Sequence, residues 1–303
     1  MSTLDEYLMI GLRVFEQWRP RFSIHPARQV PADESSAELE AESMTGISVL
    51  ETDEDAALTM EQPTRENQAW PPSMETIVEC GGEFPPYSVV LGTGEDGLPF
   101  LLDLTNPAPG SFLIAGDSSS GKARLLNAML NSAVALNDPH QVAFNLISSD
   151  PDDFAELGQT DHCQRILHKD SFDLEELIEE LAGIVEERRR NWMQDPVSIL
   201  AINDLDTCLD VLDDQAYSRL HWLIKHGPRS RVWTMATLCT DKGVEIEPRF
   251  LFAFRTRLLC HIADDALACY LSGDEIITAQ DLESGSQFSM PCAGEWLRLW
   301  ICN

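Results

Sequence analysis

The stretch Phe112–Ala128, FLIAGDSSSGKARLLNA, limits what this chain can fold into more than any other. Phe112, Leu113 and Ile114 form a short apolar run. Gly116, Asp117, Ser118, Ser119, Ser120, Gly121 and Lys122 follow, and then Leu125, Leu126, Met129, Leu130 and Ala133 recur at helical spacing. This reads as strand, glycine-bounded loop, helix. It fits G-x-x-x-x-G-K, a loop whose backbone N–H groups wrap a phosphate chain. Glycine lets the backbone turn tightly and approach an anion, and the helix N-terminus adds its dipole. Lys122 is placed to reach the outer phosphates as a point charge. The next residue should be Ser or Thr, whose hydroxyl binds Mg²⁺. Here it is Ala123, which cannot ligate a metal.

A phosphate-loop ATPase needs a second strand that ends in carboxylates, one to hold the magnesium shell and one to activate water. The best candidate is Ser198–Ile202, which leads into Asn203, Asp204 and, two positions on, Asp206. Asn203 stands where an Asp is expected and carries no charge. Asp204 keeps a carboxylate on a shorter stem than Glu. The plainer reading is a strand running into a helix cap, where Asn and Asp are favoured. Magnesium prefers hard, anionic oxygen ligands. Losing a hydroxyl at 123 and a carboxylate at 203 predicts nucleotide binding that depends little on Mg²⁺, and no metal site is assigned.

The remaining sequence sets the frame. With 303 residues, 44% of them hydrophobic, the chain can build a sizeable core. Its formal net charge is −30, which repels nucleic acid and anionic membrane surfaces unless basic groups cluster locally. No apolar run approaches the ~18–20 residues of a membrane helix, and the opening MSTLDEY lacks a secretory signal pattern. The eight cysteines form no C-x-x-C pair, so a reducing, cytoplasmic setting is expected.

Three segments follow from composition. Residues 1–24 contain an amphipathic helix candidate over 1–19, with Leu4, Leu8, Leu12, Phe15 and Trp18 on one stripe before Pro20. It would pack on the main domain or dock a protein partner. Residues 25–75 are acidic and aperiodic, and read as a disordered linker. Residues 76–303 form the main domain. There, Val89–Leu91 and Phe100–Leu104 flank a Gly-rich hairpin turn. Strands are expected at Val142–Ile147, Ser198–Ile202, Val232–Leu238 and Leu258–Ile262, and helices at Leu174–Trp192 and Tyr217–Ile224. Gln287–Met290 and Trp296–Ile301 close the chain as an antiparallel pair. Alternating strands and helices predict an α/β fold with a mostly parallel central sheet.

From about Tyr87 onward the chain resembles the motor domain of the FtsK/SpoIIIE family, in the wider HerA–FtsK group of P-loop ATPases. Its nearest flavour is the degenerate ATPase domains of type VII secretion motors. The landmarks are Leu91–Asp96 with Phe100–Leu104, the Gly116–Lys122 loop, Ser149-Asp150-Pro151 with Glu156-Leu157, Val185–Arg190, Ile199–Asp204, Val232–Leu238 and Arg255–Leu258. Their order carries the resemblance more than any single match. It implies a RecA-like core, ATP as ligand, and either a homo-oligomeric ring or assembly with paralogous ATPase subunits. It also implies recruitment to a membrane-bound complex, and a cargo of DNA or protein, of which the net charge disfavours DNA.

Relative to the family pattern the departures fall at the chemistry: Ala123, Asn203, Asp204, Leu238 for a polar sensor Gln, and Asp152 for a Lys. Gly116, Gly121 and Lys122 persist. Arg188–Arg190 sit near a helix end, where the dipole favours cations. Arg257 is the best candidate for an arginine finger acting across a subunit interface, and Trp233, Trp296 and Trp300 are assigned to the core. Three readings stand side by side. One is an active ATP-driven translocase; another is a nucleotide-binding, hydrolysis-poor regulatory or scaffold subunit; the last is an interaction protein that kept only the fold. The lost metal ligands and the charge favour the second.

Overall fold

Both faces of Phe112–Gly116 are covered, which is why this run is apolar without alternation. Phe112 and Ile114 join one hydrophobic layer, while Leu113 and Ala115 join the other. The same division runs through Val197–Ile202, where Val197, Ile199 and Ala201 face one layer and Leu200 and Ile202 the other. The computed structural model describes residues 70–191, 196–241, 246–274, 279–292 and 295–302, and the backbone of 12–14.

In chain order the strands are β1 (Leu12–Val14), β2 (Ser88–Thr93), β3 (Pro99–Asp103), β4 (Phe112–Gly116), β5 (Val142–Ser148), β6 (Cys163–His168), β7 (Val197–Ile202), β8 (Val232–Cys239), β9 (Thr256–Leu259), β10 (Gln287–Cys292) and β11 (Glu295–Trp300). The helices are α1 (Met74–Gly81), α2 (Lys122–Leu136), α3 (Leu174–Asn191), α4 (Leu205–Leu209), α5 (Asp214–His226), α6 (Pro248–Leu251) and α7 (Asp265–Ser272).

The described strands form one sheet in the order β1-β3-β2-β11-β10-β9-β4-β8-β7-β5-β6. From β9 to β6 every pairing is parallel, and this is the RecA-like core. The β2–β3 and β10–β11 hairpins extend it as an antiparallel wing. α2 lays Leu125, Leu126, Met129, Leu130 and Ala133 on one face of the sheet. α3 and α5 cover the other with Leu177, Ile178, Leu181, Leu220, Leu223 and Ile224. Arg188 on α3 is buried, and its guanidinium donates to the carbonyl of Ser230 at 2.9 Å, which gives that arginine a structural role.

Several expectations need correction. Leu12–Val14, inside the expected helix of residues 1–19, are a strand paired with β3. The edge of β3 offers a ladder of backbone partners to an added strand, and Leu-Arg-Val suits an extended segment as readily as a helical one. The rest of 1–24, and the linker from 25 to 69, lie outside the described residues. At Trp70 the described fold has already begun: Trp70 meets Trp300 edge to face at 5.6 Å, and α1 opens with Ser73 accepting from the Thr76 N–H at 3.2 Å. The strand expected at Leu258–Ile262 is displaced to Thr256–Leu259, set by its parallel register with β4. β6 is an added edge strand whose polar composition hides it. Trp296 and Trp300 are half-buried rather than core.

Trp233 is fully buried on β8. It packs on Phe112 at 6.2 Å, and its indole N–H donates to the carbonyl of Leu104 at 3.1 Å. Trp233→Ala removes both the ring and that bond, so urea unfolding should show a loss of about 3–5 kcal/mol, seen as a lower midpoint at unchanged slope.

Candidate functional site

β4, β8 and β7 are neighbours, with Gly116 opposite Cys239 and Ile202 opposite Ala236. Their carboxyl ends therefore open at one edge of the parallel sheet, where α/β folds bind ligands. The loop 117–121 leaves β4 there, and α2 starts at Lys122. Gly121 has φ 101°, a conformation that an L side chain rarely adopts. A Cβ on it would lie 3.0 Å from the Cα of Gly285. Gly116 is equally constrained, because a Cβ there would collide with the hydroxyl of Ser120 and approach the Cys260 Cβ at 2.9 Å. The first turn of α2 has no intrahelical acceptor for its N–H groups, so they are directed at the crevice. Lys122 is buried, with its Nζ donating to the carbonyl of Asp117 at 2.6 Å.

The side chain of Asp117 does not face the crevice. Its carboxylate accepts from the Thr240 hydroxyl at 2.5 Å and from the Ala263 N–H at 2.7 Å, while its own N–H donates to His261 O at 2.9 Å. A second loop presses on the phosphate loop from the opposite side. The Ser284 hydroxyl donates to Ser119 O at 3.1 Å, the Gly285 N–H to Ser120 O at 2.9 Å, and the Arg124 guanidinium returns to Gly285 O at 2.8 Å. Ser119, with φ 60°, is held between these contacts.

Directly after β7 the Asn203 side chain is turned into the sheet. Its amide donates to Ser148 Oγ at 3.3 Å, and its oxygen accepts from Thr237 Oγ1 at 3.0 Å. Asp204 follows with φ 65° and gives its N–H to Thr237 Oγ1 at 2.8 Å. Partial burial holds the Asp204 carboxyl above the usual range, helped by Asp206 and opposed by the charge of Lys122. Leu238 lies in the apolar layer, and burial pushes the Cys260 thiol to about 12, which makes it an inert filler. Ala123 offers no hydroxyl and Asn203 has committed its amide. This donor set does not fit an octahedral magnesium ion.

Gly116–Ala123, Asn203 and Asp204 thus meet at one edge of the sheet. Arg257 does not join them. It pairs with Leu113, four residues before Asp117, roughly 13 Å back along the strand. Its guanidinium donates to Leu271 O at 2.8 Å and stacks on Phe252 at 4.6 Å. Asp241, Arg124, Ser284 and Gly285 escaped the sequence reading. Gly285 between Ser284 and Ser286 was a visible turn signal, and Arg124 stands two residues after Lys122; Asp241 becomes a neighbour of the loop only through the pairing of β8 with β4.

Residues 83–200 match the FtsK/SpoIIIE family model. Among solved structures, the EssC ATPases 2 and 3 from Geobacillus thermodenitrificans align with TM-score 0.61 and 15% identity over 71% of this chain and 44% of theirs. The EccC ATPases 2 and 3 of Thermomonospora curvata, solved with a signal sequence peptide, align with TM-score 0.56 and 15% identity over 72% and 40%. The pCW3 conjugation coupling protein TcpA, solved as a monomer with ATPγS, gives TM-score 0.56 and 16% identity over 73% and 67%. At these identities the likeness is one of fold. The chain spans less than half the length of the EssC and EccC structures it matches. No curated protein matches it.

The raised pKa of Asp204 has a consequence for stability. Its ionisation opposes folding, so its contribution is favourable below the pKa of an unfolded Asp and is lost as pH rises through the raised folded value. Asp204→Asn should therefore be more stable than the wild type at about pH 7, with the difference vanishing near about pH 3. Urea midpoints across that range would show it.

Proposed function

Because residues 83–200 are FtsK/SpoIIIE-family sequence, we propose that the chain is a nucleotide-binding, hydrolysis-poor subunit that serves as a regulator or scaffold of a translocase or secretion-type motor. One contrast carries this reading. The anion cradle is intact, with Gly116, Gly121 and a buried Lys122 in place, while the magnesium positions are an alanine and an amide already bonded on both sides. A loop that still presents N–H groups and an ammonium can bind a triphosphate. Without hydroxyl and carboxylate ligands it has little means of neutralising charge as the terminal phosphate leaves.

ATP is the ligand best supported, since the TcpA structure of similar fold holds ATPγS. The nucleoside end would lie along α2, where Arg124, Asn127, Asn131, Met74 and Cys302 line a cleft of about 340 Å³. Paralogous ATPase domains are the expected partners, in a ring or in tandem, as EssC and EccC carry theirs. A protein-handling assembly is favoured over a DNA pump by the net charge of −30 and by the signal peptide bound to EccC. Among the described residues no helix is long and apolar enough to cross a membrane. A cytoplasmic subunit docked on a membrane complex, with residues 1–19 as a contact, completes the reading.

ATP at about 100 times its Kd should stabilise the protein by about 2.7 kcal/mol. The shift should be the same in EDTA and in Mg²⁺, and absent in Lys122→Ala. A steep magnesium requirement with brisk phosphate release would overturn the hydrolysis-poor assignment. A wild type that no nucleotide stabilises would overturn nucleotide binding itself.

A further inference from the structure

The second residue after β4, Ser118, gives its backbone N–H to Asp241 Oδ2 at 3.0 Å. Asp241 lies two positions beyond β8, on the strand next to the phosphate loop. Cys239 completes the group, with its Sγ 3.6 Å from Ser118 Oγ and 3.9 Å from the same carboxylate oxygen. The hydroxyl and amide of Ser118 hold the Asp241 carboxyl below the usual range, and the charge of Lys122 adds to this. The carboxylate is therefore ionised at neutral pH.

A fixed negative charge thus uses one of the N–H groups that the loop offers to phosphate, within the field of the loop's lysine. Its position along the ligand matters. The Arg124 and Gly285 side of the loop adjoins the α2 cleft, the nucleoside end in the reading above. Ser118 and Asp241 lie on the β8 side, towards Asp204 and the ends of β8 and β7. A phosphate chain entering from the cleft and running past Lys122 would bring its outer end to that side, and a diphosphate would reach less far than a triphosphate. A triphosphate would bring its most negative group against Asp241, and like charges in direct contact repel, here tempered by the exposure of the Asp241 side chain.

We propose that Asp241 makes this site selective for nucleoside diphosphates over triphosphates, by holding a carboxylate where a terminal phosphate would accept its hydrogen bond. This rests on the nucleotide-binding reading and goes beyond it. Failed turnover then has two separate sources, a stripped metal shell and a discouraged substrate.

Asp241→Asn tests it, since Asn keeps the size and an acceptor oxygen and removes the charge. Affinities of the full chain for ADP, ATP and ATPγS would be measured by calorimetry in EDTA. The wild type should prefer ADP by about tenfold or more, which corresponds to about 1.4 kcal/mol. In Asp241→Asn the ratio should fall towards one, mainly through tighter ATP and ATPγS. Triphosphate binding seen only in the variant would also support the proposal. Equal affinities in the wild type, or a ratio indifferent to the substitution, would overturn it and leave nucleotide binding standing. No binding of either nucleotide by either protein would overturn both. The side chain is exposed, so the variant should melt like the wild type without ligand.

Discussion

The carboxylate of Asp117 fixes the geometry on which the site depends. A phosphate loop must leave N–H groups unspent, yet backbone donors without partners are costly and tend to collapse onto the nearest acceptor. Asp117 counters this by tying the loop to two neighbouring strand ends, through Thr240 beyond β8 and Ala263 beyond β9. The strands beneath are buried on both faces and pair in parallel with β4, so the anchor points move little. From the other side Ser284 and Gly285 use up the carbonyls of Ser119 and Ser120. The N–H groups of Asp117, Ser118 and Ser120 are themselves engaged, so the first turn of α2 is the part of the loop that offers N–H groups to an anion.

The same accounting applies at the end of β7. An asparagine amide at the end of a buried strand must find partners or carry the cost of lost hydration. Asn203 finds them in Ser148 on β5 and Thr237 on β8, and Thr237 also receives the Asp204 N–H. The result is a polar strut that joins the ends of three strands. An Asp placed at 203 would leave a carboxyl facing Ser148 and Thr237 in place of the neutral amide. Such partly satisfied networks destabilise more than the neutral strut they replace.

Much of this was legible in the sequence, and what was not has physical causes. β4, β5, β7 and β8 are covered on both faces, so they appear as apolar runs that need no tertiary knowledge. The glycines of the phosphate loop were legible because two positions exclude any Cβ. β6 was hidden because an edge strand needs only one buried face, and Cys163–His168 shows little of either pattern. The stripe of residues 1–19 was ambiguous for a related reason. Leu12, Arg13 and Val14 suit a helix, but the unpaired edge of β3 lies outside any window of local sequence. The register that separates Arg257 from the loop is likewise a property of neighbouring strands. Asp241 is the clearest case: nothing near it in sequence marks it, and 123 residues separate it from the amide it holds.

The charge of −30 bears on the site in two different ways. At physiological salt, charges more than about 8 Å apart are largely screened, so most of the acidic excess slows the approach of polyanions without deciding what the loop holds. Inside that distance the balance is local. Lys122 is the cation of the loop, and its field reaches the carboxyls of Asp204 and Asp241. A site of this kind gains its affinity from short hydrogen bonds of fixed direction rather than from net attraction. Each further phosphate adds acceptors for those bonds and also adds repulsion from fixed carboxylates. On the reading proposed above, a terminal phosphate would meet the carboxylate of Asp241 where the Ser118 N–H is already taken.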